Sequence, residues 1–430
     1  MLRRLLPSVV ELRSKDLVVA SQLAAVLGPP PRFAPRRYVS QLAGLLGPAA
    51  LRALVCGCAA LLHIARPNSA WRHSPPLFIL QRSESFLFRM DNQKLLFITG
   101  ATGFLGAYLV REALKAGYQI RASKRPDSPM DLLGEMAQQI DWREGDLLDL
   151  SFVESCLEGV DSLIHAAALV SFQPKEAEKM IRFNADSTTY LVNAALNANI
   201  SESLFVSSIA ALGRDEKKLR IDEQSQWENS KYNSNYAISK FKAECEVWRG
   251  IQEGLPACIV NPSVIMGAGY WAKGTAQMFQ QVAKGLSFYP AGATGFVDVR
   301  DVAEFSLALL QNPQAQGQRF ILNGINCSYQ TLFSEMAKAL DKKPPKRKLP
   351  SWGTALLWRL EKVRSWIRGL PPVITEEIAR NLNSKYEYDH QKVIDFLGKD
   401  FRPLSVCMQD SAKLYKLAES GEQPFGLLAP

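Results

Sequence analysis

Two short segments constrain this chain more than any other feature. Residues 98–106 read Ile-Thr-Gly-Ala-Thr-Gly-Phe-Leu-Gly, and residues 236–240 read Tyr-Ala-Ile-Ser-Lys. The first sets Gly100, Gly103 and Gly106 directly after an apolar run and directly before a helical pattern. In that context each glycine has a distinct task. Gly100 permits a tight turn, Gly103 lets the backbone approach a diphosphate, and Gly106 lets the helix pack closely on a sheet. The helix start offers free N–H groups and positive partial charge to phosphate oxygens, so Thr102, Phe104 and Leu105 join the glycines as expected contacts. A strand-helix turn without a ligand is the plain alternative.

Strands and helices alternate around these segments. Apolar runs predict strands at 94–99, 118–123, 140–144, 161–165, 204–208, 257–261 and 319–322. Helical periodicity covers 104–116, roughly 177–198, and 236 to about 252, where Gly117 and Gly254 close the first and the last. Units of this kind build a parallel sheet covered on both faces, hence an α/β, doubly wound fold. Residues 91–265 are expected to form the nucleotide-binding domain. Residues 266–430 are expected to form a smaller, mostly helical substrate-binding cap over the strand C-termini, with a seventh sheet strand at 318–322.

Charge separates the first ninety residues from the rest. They hold eleven Arg, one Lys and three acidic residues, which accounts for the whole chain's formal charge of +9. The body after residue 90 is therefore formally neutral, which argues against a nucleic-acid-binding face. Three readings fit residues 1–90: a transit peptide, a membrane contact through the apolar stretch 42–65, or a poorly ordered extension ahead of a functional start at Met90. Arg52 and Pro48 weaken the second. The abrupt exchange of Arg for Lys at Met90 favours the third and a cytoplasmic protein; organelle targeting or membrane association through 1–90 is the alternative. The seven Cys and four His are too scattered for a metal site or a disulfide framework, so no metal is expected.

The end of the second predicted strand decides which dinucleotide fits. An acid there would accept hydrogen bonds from a ribose 2′-hydroxyl, but the chain reads Ser123-Lys124-Arg125. A guanidinium suits a 2′-phosphate, so Arg125 predicts NADP(H) over NAD(H). Asp146 and Leu147 follow the third strand and can border the adenine, with Asp149 or Ser151 available as a plain helix cap. After the fourth strand, Ala166 and Ala167 leave small side chains beside the cofactor, and His165 reads as a packed or hydrogen-bonded structural residue rather than a catalyst.

Tyr236 and Lys240 lie at i and i+4, on one face of a helix. A free phenol titrates near about pH 10, too high for a base at neutral pH. A nearby ammonium, with the positive charge of an oxidised nicotinamide, would favour the phenolate. Lys240 can also hold the nicotinamide ribose. Ser208, at the end of the fifth strand, can bond the substrate oxygen, and Asn184 can hold a water in a proton path from Lys240. An ordinary amphipathic helix would explain Tyr236 and Lys240 alone, but not their combination with Ser208 and the glycine loop.

Together these marks are similar to the extended short-chain dehydrogenase/reductase superfamily, also called the NAD-dependent epimerase/dehydratase family. They are TGATGFLG at 99–106, Asp146-Leu147, HAAA at 165–168, Asn184, VSS at 206–208, YAISK at 236–240 and NPSV at 261–264. The resemblance covers 94–330 and implies a Rossmann fold, with Tyr236 as acid/base, Lys240 as its orienting cation, Ser208 on the substrate oxygen and Pro262 beside the nicotinamide. The stretch 121–125 resembles dihydroflavonol reductases, whose last arginine there meets a 2′-phosphate. Segments 371–375 and 384–389 resemble those reductases and 3β-hydroxysteroid-dehydrogenase-like proteins. Lys124-Arg125 and Asn261-Pro262 depart from sugar-nucleotide epimerases, which show an acid and an Arg-Pro at those places.

The expected activity is thus NADP(H)-dependent hydride transfer between nicotinamide and a carbonyl or secondary alcohol of a hydrophobic or polycyclic small molecule. A nucleotide-sugar epimerase or dehydratase with tightly bound NAD(P), and a non-catalytic NADPH-binding regulator, are the rivals. The resemblance also implies a homodimer. A membrane-surface contact through 42–65, or through the Trp- and Arg-rich segment 352–370, is a further expectation.

Overall fold

The computed structural model describes residues 93–430, apart from 214–219, 231–232, 423–424 and most of 351–381. The extension 1–90 with its stretch 42–65, all but three positions of 352–370, and the segment 371–375 lie outside the described residues. Among the described residues no helix is long and apolar enough to cross a membrane, and no group of His, Cys, Asp and Glu could hold a metal ion.

Seven strands form one sheet. They are β1 (Leu95–Thr99), β2 (Gln119–Lys124), β3 (Ile140–Glu144), β4 (Ser162–His165), β5 (Glu202–Val206), β6 (Ala257–Pro262) and, much later in the chain, Arg319–Leu322. The spatial order is 319–322, β6, β5, β4, β1, β2, β3. Every neighbouring pair is parallel. Hence the chain starts mid-sheet at β1, winds outward through β2 and β3, then crosses back to β4 and winds the other way. The point of reversal lies between β1 and β4, where Thr99 pairs with His165. In such sheets the crevice beyond the strand ends at that point is where ligands bind.

Alternation along β1 shows how both faces are covered. Leu96 and Ile98 enter one apolar cluster with helix α1 (Phe104–Lys115) and the helix Val299–Leu310. Phe97 enters a second cluster, on the other face, with α2 (Leu150–Leu157), α3 (Ala177–Asn197) and α4 (Asn235–Gln252). Strands buried on both faces read as continuous apolar runs, which is why periodicity alone located them. Helix starts follow local chemistry. The Asp149 carboxylate accepts from Ser151 N and Phe152 N at the start of α2, and Ser234 Oγ accepts from Ala237 N at 2.9 Å at the start of α4. Caps of this type are worth about 1 kcal/mol each.

Beyond β6 the chain is less purely helical than expected. Val264–Met266, Ala293–Asp298 and Ile325–Ser328 form a small mixed sheet, parallel on one side of its central strand and antiparallel on the other. Helices Gln277–Ala283, Tyr329–Ala339, Gln391–Leu397 and Leu404–Ser420 surround it. Their apolar faces join the same cluster as Leu96 and Ile98, so one core runs across position 265.

Candidate active site

The glycine loop closes on itself before α1 begins. Gly103 N donates to Gly100 O at 2.9 Å, and Gly100 has a φ of +72°, open to glycine and strained for other residues. A Cβ on Gly106 would lie 2.0 Å from Gly100 O, and one on Gly100 within 2.8 Å of Ala167 N. Both positions therefore hold glycine because backbone passes too close for a side chain. The α1 start carries no side-chain cap, which leaves its N–H groups to face a ligand.

A cleft of about 210 Å³ opens beside that start. Gly100, Thr102, Gly103, Arg125, Asp146, Leu147, Ala166 and Ala167, all expected cofactor contacts, line it. Phe104, Leu105, Gly106 and Pro262 are not in its wall. Gly106 lies behind it as the helix-packing glycine, and Pro262 is buried as the last residue of β6. Ser123, Lys124 and Ala168, from the β2-end and HAAA segments, also line it, while Ser128, Gly145, Leu169 and Phe183 do so without a sequence signal of their own. Glycines at the α1 start, small alanines after β4 and a cation at the β2 end give this cleft the chemistry that a nucleotide's phosphates call for.

The two cations at the end of β2 differ. Lys124 is paired with Glu144 on β3. Arg125 is exposed, and its backbone is fixed in a turn: Arg125 N donates to Ser128 Oγ and Ser128 N to Arg125 O, each at 3.0 Å. Asp146 Oδ1 accepts from Leu148 N at 3.0 Å, which sets the loop along the opposite wall.

His165 holds the cleft floor. Thr188 Oγ1 donates to Asn184 O at 2.7 Å, so it accepts from His165 Nε2 at 3.1 Å, which leaves Nδ1 to accept from Thr99 Oγ1 at 2.7 Å. Thr99 Oγ1 in turn accepts from Ala167 N. This neutral tautomer suits a buried ring whose pKa burial and the Lys240 charge push down to about 3. The structural reading of His165 stands.

Tyr236 sits in the first turn of α4, half-buried, its ring 6.0 Å from that of Phe172. Burial holds its phenol above the ordinary value, and the neighbouring Ser208 side chain offsets this only in part. Ser208 lies two residues beyond β5, not in it, because its Oγ caps the turn Ile209–Ala211 by accepting from Ala210 N at 3.1 Å.

Two expectations meet different partners. The Lys240 ammonium, buried on the same face, donates to Val206 O at 2.8 Å and lies 4.6 Å from the Phe205 ring centroid. The ammonium is thus anchored at the strand end, and the Tyr236 phenol is raised by burial. Asn184 was expected to hold a water. In the fold its Oδ1 accepts from Leu169 N at 2.7 Å, and its Nδ2 donates to Leu169 O and Ser239 Oγ at 3.0 Å each. The amide thus ties the cleft loop at Leu169 to α4, three residues past Tyr236.

Burial lowers the Lys240 pKa from 10.5 to about 8. Between those values the unfolded chain binds a proton that the folded chain has released, so the residue's contribution to stability rises with pH through that window and is flat below it. In urea unfolding of the cofactor-free protein, the stability of wild type relative to Lys240→Met should therefore grow by roughly 3 kcal/mol from about pH 8 to 10.5. A pH-independent difference would contradict the shift.

Comparison with known proteins identifies the family. The model of the NAD dependent epimerase/dehydratase family matches residues 96–323. A Synechocystis protein provisionally named dihydroflavonol 4-reductase is 31% identical over 328 residues, 74% of this chain and 94% of its own. Cinnamoyl-CoA reductase 1 of Petunia hybrida is 25% identical over 76% of this chain and 93% of its own. The crystal structure of gox2253 superposes with a TM-score of 0.66 at 28% identity, over 77% of this chain and all of that one. The chain belongs to the NAD-dependent epimerase/dehydratase family, the extended short-chain dehydrogenases/reductases, and is an enzyme that uses an NAD(P)-type nucleotide.

Proposed function

We propose that the chain is an NADP(H)-dependent oxidoreductase that exchanges hydride between nicotinamide and a carbonyl or secondary alcohol of a hydrophobic small molecule. One observation carries this reading: the Ser208 side chain lies beside Tyr236, Lys240 on the same helix reaches Val206 O two residues before Ser208, and Asn184 ties that helix to the cleft loop at Leu169. The nicotinamide, when bound, supplies or accepts the hydride. In reduction, the Ser208 hydroxyl holds the carbonyl oxygen and the Tyr236 phenol gives it a proton. A phenol raised by burial stays protonated at neutral pH, which suits that donor role. Lys240, with a pKa near 8, can return the proton and bond the ribose. Phe172 against the Tyr236 ring and the 62%-exposed Val170 on the same loop give the substrate an apolar wall.

The named activities of the Synechocystis and Petunia relatives, both reductases, support the same class of reaction. The test is steady-state cofactor consumption with a panel of aromatic and aliphatic aldehydes and ketones. Net loss of NADPH absorbance, faster than that of NADH, is the expected result. No consumption with any carbonyl, alongside interconversion of nucleotide sugars, would reverse the reading in favour of an epimerase.

A further inference from the structure

Glu244, one helical turn beyond Lys240, is 2% exposed and accepts from four groups on four parts of the chain. Its Oε2 takes Ser207 Oγ at 2.5 Å and Asn261 Nδ2 at 2.9 Å. Its Oε1 takes Arg319 Nη1 at 3.1 Å and Trp248 Nε1 at 3.3 Å. A carboxylate is not buried this deeply without its charge being met, and the Arg319 guanidinium meets it. Arg319 also donates to Glu223 O and Ser225 O, which fastens a neighbouring loop to the same point.

The bonds converge on the catalytic strand end. Val206 O is held by Lys240, the Ser207 side chain by Glu244, and Ser208 O by Asn261 Nδ2 at 3.0 Å. Three consecutive residues are thus fixed from outside, and two of the three fixings pass through Glu244. Asn261 precedes Pro262, so the same carboxylate also sets the end of β6. Asn261 Oδ1 is buried with no partner, so nothing else in the described residues orients this amide by its oxygen.

We propose that Glu244 is a positioning residue for the reaction: it clamps the Ser207–Ser208 segment and the Asn261–Pro262 strand end against the helix that carries Tyr236 and Lys240. The inference rests on the catalytic reading of those residues given above. Its physical basis is that a hydroxyl misplaced by about 1 Å can lose a large part of a rate enhancement with no loss of binding.

The test uses the full chain with Glu244→Gln and Ser207→Ala, singly and combined. Each single variant is expected to lower kcat about tenfold while the KM for NADPH stays unchanged. The pair should be no worse than the more damaged single, because both cut one link. A folded Glu244→Gln with wild-type kcat, or multiplicative losses in the pair, would overturn the proposal. Should Glu244→Gln fail to fold, Ser207→Ala still decides, since it removes one hydroxyl and leaves Arg319 paired. Amide hydrogen exchange supplies an arm that needs no turnover. Residues 207–211 should exchange faster in both variants and the middle of α4 should not. If wild type consumed no NADPH, the oxidoreductase reading would fall, whereas unchanged exchange at 207–211 would sink the clamp alone.

Discussion

Tyr236→Phe is expected to lower turnover with NADPH and a carbonyl by about a thousandfold, within the range that a positioned acid or base contributes. The substitution removes one oxygen and keeps the ring, so the packing against Phe172 survives. What is lost is the hydroxyl beside the Ser208 side chain, where the proposed carbonyl oxygen would sit. Because the cleft wall is built from the glycine loop, the β2 end and the alanines after β4, the NADPH dissociation constant should stay unchanged. An interaction made only in the transition state shows itself in this pattern, with kcat and kcat/KM falling together. Stability should change little, since Ser208 Oγ keeps its bond from Ala210 N. Initial rates and fluorescence titration with NADPH check both halves. A variant that turned over like wild type would remove Tyr236 from the chemistry and favour the regulator that binds nucleotide without turnover.

The sheet and the cleft at the glycine loop were legible in the sequence for a common reason: both are set by short-range chemistry. Strands buried on two faces announce themselves as apolar runs, and β3 and Arg319–Leu322 fall where the pattern placed them. Gly100 and Gly106 are demanded by contacts within a few residues of themselves and by the β4 end. The helix Val299–Leu310 was missed. Ten of its twelve residues are buried, including Arg300 and Asp301, so it has no polar stripe to set its period. Side-chain partners across the sheet were the least legible. Nothing local tells Lys240 to reach Val206 O, or Asn184 to reach Leu169 O and Ser239. Glu244 had one available signal, a carboxylate four residues after Lys240 on the same face, but on a helix that spacing ordinarily describes a solvated pair. Only the fold shows that Ser207, Asn261 and Arg319 arrive there together.

The choice between NADP(H) and NAD(H) turns on a single guanidinium. Arg125→Ala is expected to weaken NADPH binding by about ten- to a hundredfold and to leave NADH binding unchanged, because a hydrogen bond to a charged group contributes about 1.5–3 kcal/mol. Lys124 cannot take over. Its ammonium is spent on Glu144, and a phosphate drawn toward it would meet that carboxylate. Arg125 has the opposite situation: its side chain is exposed at the cleft edge, and the two bonds with Ser128 fix the backbone from which it extends. An exposed ion pair is screened by salt, so the preference for NADPH in wild type should shrink as ionic strength rises, while the binding of NADH, which lacks the 2′-phosphate, should respond less. Titration of both nucleotides at low and high salt measures each quantity. Equal affinity of wild type for the two, or an Arg125→Ala protein that keeps its preference, would show that the β2 end does not read the phosphate and would return the choice of nucleotide to the loop after β3.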